Sequence, residues 1–275
     1  MASLLFEISD DVNRYLNLDE LTTLSTVSTN TFFRGLNNMK YYRFVPYENG
    51  KEILRKLEND EKVKLSDIKG GSNFDVARRN GDTPLRQATM INNVEIVKLL
   101  INGGTNVNVA NDRGETPLHE AAMVNNVDIV ELLINGGADV NLATDGGWTA
   151  LQLTAHYNFI EMAKLLINEG ANVNAANNLG WTTPLFWAVY KRNIKMVELL
   201  IKRGVDVNFT NKEGETPLHL LTYKRRAENI EIAKLLINEG AYVNTINKNW
   251  RTPLSNAVKH NNTEMIELLK TAGAR

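Results

Sequence analysis

The chain contains no cysteine, which excludes disulfides, thiolate zinc centres and cysteine nucleophiles and agrees with a reducing compartment. It also lacks an excess of either charge. Lys and Arg together number 31, Asp and Glu 32, and the formal net charge is -1, so nothing in the global balance points to nucleic acid or a membrane surface. No apolar run is long enough to cross a bilayer. Residues Met1 to Asp11 have no basic n-region and are interrupted by Glu7, Asp10 and Asp11, so a secretory signal is not expected. The Thr271 to Arg275 tail carries no prenylation cysteine. What remains, 275 residues of which 43% are hydrophobic, suffices for a long continuous core.

Two ladders run through that composition. A Thr-(Pro/Ala)-Leu tripeptide returns at Thr83, Thr116, Thr149, Thr183, Thr216 and Thr252. A glycine closing an apolar stretch returns at Gly71, Gly104, Gly137, Gly170, Gly204, Gly240 and Gly273. Both have a period of about 33 residues, the mark of a repeat solenoid. In such a stack each unit contacts only its neighbours, and an extended recognition surface results rather than a closed catalytic pocket.

The copy from Gly114 to Gly137 shows the mechanics. Thr116 is suited to cap a helix and Pro117 to open it, since the first helical N–H has no partner to lose. Leu118, Ala121 and Ala122 give a short helix with a small face. Ile129, Val130, Leu132 and Leu133 give a second helix with a broad apolar side, which predicts that Leu132 and Leu133 are buried between units. Gly137 can take the left-handed conformation that ends it. The unit reads as helix, turn, helix, hairpin-like loop.

These residues resemble the ankyrin repeat, whose Thr-Pro-Leu-His-x-Ala signature stands almost unaltered at Thr83 to Ala88, Thr116 to Ala121, Thr183 to Ala188 and Thr252 to Ala257. The resemblance covers roughly residues 50 to 275. Where the family has Gly between its helices, this chain has Asn92, Asn125, Asn158 and Asn261, and Asn tolerates a left-handed backbone. Three more residues lie between Thr216 and Gly240 than between Thr116 and Gly137, which predicts a longer inter-helix loop around Lys224, Arg225 and Arg226. One extra residue enters the turn before Thr183. Trp250 stands where the turn glycine is expected, so an atypical last hairpin is predicted. Residues Gly50 to Gly71 keep the length and final glycine without the signature, as a degenerate capping unit would.

Residues 1–40 stand outside the ladder and read as short helices, with Leu4, Ile8, Val12 and Leu16 four apart on one stripe. The run Leu4-Leu5-Phe6-Glu7-Ile8, then Tyr15-Leu16-Asn17-Leu18-Asp19-Glu20-Leu21, then Leu24-Ser25-Thr26-Val27-Ser28 and Phe32-Phe33-Arg34, resembles an F-box, with Leu5 in place of the family's proline. The resemblance implies docking on the Skp adaptor of a Skp-cullin-F-box ubiquitin ligase through Leu4, Ile8, Val12, Leu16, Leu18, Leu21, Leu24, Val27 and Phe32. The repeats would then receive the substrate. The alternative is a helical cap on the first repeat, making the chain a scaffold or stoichiometric inhibitor with no ubiquitin role. Tyr41, Tyr42, Phe44 and Tyr47 form an aromatic connector too apolar for a flexible tether.

The expected fold is therefore all-α: an F-box-like helical head at 1–40, the connector and degenerate unit at 41–71, and an ankyrin repeat solenoid of about six units at 72–275. No catalytic or metal-binding role is expected. His119 and His219 occupy the signature position of a structural hydrogen bond, and His156 and His260 follow the first helix without an acidic or nucleophilic partner at a recognisable spacing. The glycine pairs, such as Gly136-Gly137, lack the lysine and threonine of a phosphate loop. No cofactor is expected.

In ankyrin-like stacks, contacts fall on hairpin tips and first helices. That expectation selects Arg113 and Glu115; Trp148, His156 and Tyr157; Trp181, Tyr190 and Lys191; Tyr223, Lys224 and Arg225; and Trp250 and Arg251 as binding residues for an unidentified substrate protein. The opposing expectation for Trp148, Trp181 and Trp250 is stacking on neighbouring hairpins. Phe186 and Trp187 read as core. A monomer is expected, in the cytoplasm, and in a host's cytosol for a pathogen protein, since F-box heads joined to ankyrin arrays resemble architectures of viruses and intracellular bacteria.

Overall fold

The computed structural model describes Arg55, Lys56, Asp75, Ala77 and residues 80–275, apart from 178–181 and 224–225. The head at 1–40, the aromatic connector and, apart from Arg55 and Lys56, the degenerate unit ending at Gly71 lie outside the described residues, as do Trp181, Lys224 and Arg225.

Among the described residues, six helix pairs follow one another: α1 (Pro84–Met90) and α2 (Val94–Asn102), α3 (Pro117–Val124) and α4 (Val127–Asn135), α5 (Ala150–Tyr157) and α6 (Ile160–Asn168), α7 (Pro184–Tyr190) and α8 (Ile194–Lys202), α9 (Pro217–Leu220) and α10 (Ala227–Asn238), α11 (Pro253–Lys259) and α12 (Thr263–Thr271). First helices pack in one row and second helices in another. Hairpins join the pairs, and no strand longer than the isolated Ala143–Thr149 bridge occurs among the described residues.

Local chemistry sets each boundary. Thr83 and Thr149 accept from the backbone N–H of Arg86 and Gln152, and five of the six first helices open on Pro. Asn92, Asn125, Asn158 and Asn261 take the expected left-handed backbone, with φ of 57°, 56°, 65° and 52°. Arg192 takes it as well, at 59°, in the place where the other units have Asn. Asn93, Asn126, Asn193 and Asn262 then cap the second helices through their side-chain oxygens.

The core is one repeated contact. Leu85, Leu118, Leu151, Leu185 and Leu218 are buried on the first helices, as are Leu100, Leu133, Leu166, Leu200, Leu236 and Leu269 on the second. Each such leucine contributes about 1.5–3 kcal/mol of transfer free energy. Leu132 corrects an expectation: it is half-buried and packs on the core margin, while Leu133 is fully enclosed. Adjacent residues on one helix point about 100° apart, so both cannot face the centre of the stack.

Neighbouring units are stitched by polar groups that the repeat supplies in register. Asn108, Asn141 and Asn208 each accept from the next unit's backbone N–H, at Asp139, Asn172 and Tyr242, over 2.9, 2.8 and 2.7 Å. The same side chains donate to the carbonyls of Gly137, Gly170 and Gly240. Hairpins also bond directly, from Asp112 N–H to the Asn80 carbonyl, Asp145 N–H to that of Arg113 and Lys248 N–H to that of Glu213.

Of two expectations about irregular units, one holds and one needs correction. The segment between α9 and α10 runs over residues 221–226 where that between α7 and α8 runs over 191–193, as the longer loop requires. The second helix also has 12 residues where α8 has 9, and the first shrinks to four. Ala227-Glu228-Asn229 is helix-compatible and Asn229 anchors the added turn by donating to the Leu221 carbonyl at 2.8 Å. The last hairpin is not atypical in its backbone. Trp250 adopts φ 58° and donates to the Asn247 carbonyl at 3.0 Å, as Gly214 does to Asn211 at 2.9 Å.

Candidate protein-binding surface

The signature histidines are structural. In His119, Nδ1 accepts from the Thr116 backbone N–H at 3.1 Å, which places the proton on Nε2, and Nε2 donates to the Trp148 carbonyl at 2.9 Å. His219 repeats this with Thr216 and the Arg251 carbonyl at 3.1 Å. Burial lowers the pKa of both rings, so they remain neutral and each ties a first helix to the next hairpin. Gln152 does the same job by donating to the Ala175 and Thr182 carbonyls at 3.0 Å. Phe186 fills this position in the Thr183 unit and packs edge-on against Phe209, ring centroids 5.9 Å apart.

Arg86 fills it in the Thr83 unit, and there a buried ionic group forms. Its guanidinium contacts Asp82, Glu115 at 2.6 Å and Glu120 at 2.9 Å, with all four side chains buried. One cation cannot neutralise three carboxylates in a low-dielectric site. Burial raises the Glu120 carboxyl to about 7, against the pull of Arg86. Glu115 therefore corrects an expectation: the tip position suggests a partner contact, but the side chain is buried, its carboxylate also accepting from Asn111 Nδ2 at 2.8 Å.

Sequence-selected residues converge at α5 and α7. The Trp148 indole stacks on Trp187 with centroids 5.0 Å apart and planes 28° apart. His156 stands edge-on to Trp187 at 4.5 Å and to Tyr157 at 4.9 Å. Tyr190 meets Trp187 at 5.9 Å, and Tyr157 stacks on Phe159 at 5.6 Å. Trp148, His156, Tyr157 and Tyr190 are each half-buried, and Lys191 beside them is exposed. His156 lies inside α5 rather than after it. Burial, and then the nearby Lys191 charge, depress its pKa to about 3, so the ring is an uncharged wall at neutral pH. His156 Nδ1 and Trp187 Nε1 are both buried without a hydrogen-bond partner, within one aromatic cluster that spans two units.

The other expected residues do not join it. Tyr223 is half-buried, its hydroxyl bonded to the Glu215 carboxylate and its ring 5.7 Å from His260, so it holds two units together. Burial and Glu215 push its pKa well up. Arg113 is exposed, Arg251 is half-buried, and Trp250 is 87% exposed. The two expectations for tip tryptophans therefore divide: Trp148 stacks within the protein, and Trp250 faces solvent. Sequence reasoning missed Trp187 as the hub of the cluster, although its aromatic neighbours Trp148 and Tyr190 were visible. It missed the Arg86 group too, for which Arg in the signature histidine's place was the available signal.

Among the described residues there is no metal-ligand cluster and no helix long and apolar enough to cross a membrane. The family model "Ankyrin repeats (3 copies)" matches residues 53–144, 136–211 and 203–275. No curated protein matches the chain. Among solved structures, the chain is similar to the ankyrin repeat domain of Bcl-3, a member of the IkappaB protein family. Identity there is 22% and the TM-score 0.65, with 80% of this chain and 91% of the other covered. It is likewise similar to an ankyrin repeat domain from Acinetobacter baumannii AYE, at 27% identity and a TM-score of 0.66, covering 70% of this chain and 98% of the other. Family match, helix pairs and inter-unit hydrogen bonds agree: the repeats are a protein-interaction module, and the chain belongs to the ankyrin repeat family.

Proposed function

We propose that this protein is the substrate receptor of a Skp-cullin-F-box ubiquitin ligase, with the repeats holding a substrate protein and residues 1–40 docking on the Skp adaptor. The observation that carries the substrate half is the aromatic cluster. Trp148, Tyr157 and Tyr190 lie half-buried around Trp187 with Lys191 exposed at the edge, a combination of rigid apolar area and one charge that suits a protein contact. The adaptor half rests on the F-box-like run from Leu4 to Arg34.

A pull-down with recombinant Skp adaptor, using the full chain, a chain lacking residues 1–40, and a Leu16→Asp/Leu21→Asp chain, tests the adaptor half. Association by the parent alone, with unchanged melting of the repeats, is expected. Absence of binding by the parent, or equal binding by the double variant, leaves a scaffold without a ubiquitin role. For the substrate half, a partner found by crosslinking should lose binding on Tyr190→Ala and keep it on Lys98→Glu, a change on the second-helix row.

A further inference from the structure

The last unit ends the described stack with an apolar position on its first helix that the earlier described units hide. Val258 is 53% exposed, whereas the residues in its place, Thr89, Ala122, Ala155, Val189 and Thr222, are all 0–1% exposed. Among the described residues, those five are covered by a following unit and Val258 is not. Trp250 points the same way. At the corresponding Gly114, a Cβ would come within 2.7 Å of the Asp145 backbone nitrogen in the next hairpin, and at Gly81 within 2.6 Å of Asn111 Cα. No hairpin follows Trp250 among the described residues, so an indole fits there, 87% exposed. On the same hairpin Ile246 is 54% exposed, at a position that is exposed in earlier units as well but filled there by the smaller Ala110, Ala143, Ala176 and Thr210.

Half of this end is closed with a charge and half is not. Ile101, Ile134, Ile167, Ile201 and Ile237 sit at one position of the second helices and pack on the core, and in α12 that position is Lys270, exposed. A further ankyrin unit, or a second copy stacking as one, would bury that ammonium. The hairpin and α11 carry no such closure. They also hold Lys248, Arg251 and Lys259, with no Asp or Glu anywhere from Gly240 to Thr263.

We infer that the hairpin and first helix of the last unit, through Ile246, Trp250 and Val258, form a second docking surface for an acidic protein segment with large apolar side chains. The three cations fix the charge of that segment and Lys270 keeps it off the second helix. The inference rests on the reading of the repeats as protein-binding and concerns a surface separate from the cluster around Trp187.

The test uses the full chain and a labelled probe peptide alternating Glu with Leu and Phe, beside a twin with Lys in place of Glu, followed by fluorescence anisotropy. The acidic probe should bind and the basic twin should not. Trp250→Gly, which also restores the turn residue of the other units and so should fold, is expected to weaken binding by roughly tenfold or more. Val258→Asp should do likewise, Tyr190→Ala should leave binding unchanged, and added salt should weaken it. No binding of the acidic probe, equal binding of the twin, or full binding by Trp250→Gly would overturn the proposal. So would loss on Tyr190→Ala instead, which assigns the probe to the aromatic cluster, or a dimer by sedimentation that Val258→Asp dissolves, which assigns the face to a second copy.

Discussion

Arg86 reaches from one repeat to the carboxylate of Glu120 in the next, 2.9 Å away, while Asp82 and Glu115 hold the same guanidinium. This interface therefore carries a surplus of buried negative charge. A proton on Glu120 removes one of the two surplus charges.

Stability should follow that proton. The Glu120 carboxyl stands at about 7 in the folded chain against an ordinary 4.5. Below about pH 4.5 both states hold the proton. Between there and about pH 7 the unfolded chain releases it and the folded chain keeps it, so stability falls as pH rises, and above about 7 the loss is complete. Glu120→Gln should be more stable than the parent at pH 8 by about 1–3 kcal/mol and nearly equal at pH 4.5. Urea unfolding at both pH values checks this, and equal gaps would reject it.

The stacked indoles give a coupling to measure. Trp187 is 8% exposed and Trp148 half-buried, so Trp187→Ala should cost about 3–5 kcal/mol and Trp148→Ala less. A double-mutant cycle should return a coupling of about 0.5–1.5 kcal/mol beyond area burial. Additive losses would mean that the stack carries no specific energy.

Two glycines with nearly the same backbone should respond differently to a methyl group. Gly137 has φ 92° and open space where a Cβ would stand, whereas at Gly114, φ 74°, the neighbouring hairpin lies 2.7 Å from that point. Gly137→Ala should cost about 1–2 kcal/mol from backbone strain alone, and Gly114→Ala more, because backbone must move. Leu133→Ala, at a fully buried site, should cost about 2–5 kcal/mol. Thermal melts of the three rank them.

Trp250→Gly should stabilise the fold. A bulky residue at φ 58° is strained by about 1–2 kcal/mol, and the added freedom of glycine in the unfolded chain offsets about half of that. The expected gain is roughly 0.5–1 kcal/mol, seen as a rise in Tm of about 1–3 °C. A fall in Tm would show that the exposed indole makes a contact within the chain.

The units were legible in the sequence because each carries its own punctuation: Thr-Pro opens α3 and Gly137 closes α4 without help from distant residues. The resemblance to the ankyrin signature also implied His119 and His219 as ties between units, which their bonds to the Trp148 and Arg251 carbonyls bear out. What it did not reveal were the exceptions to its own pattern. Glu115 looks like a tip residue until Arg86, one unit away, draws it inward. Trp187 reads as core and is core, but spacing does not show that Trp148 and Tyr190 gather on it. Spacing reports which face a residue occupies. It does not report which neighbour in the next unit will claim it, since that depends on pairs chosen across an interface.

Phe186 departs from the ladder of polar ties with a mechanical result. A hydrogen bond such as that of His119 fixes the angle between a helix and the next hairpin, whereas the edge-on contact of Phe186 with Phe209 tolerates small rotations. The unit beyond it has the shortest helix of the six described pairs, Pro217–Leu220. The two units remain tied through Asn208 to Tyr242 and Arg192 to Asn229, so the consequence falls on the short helix itself: amides of α9 should exchange with deuterium ahead of those of α3 and α5.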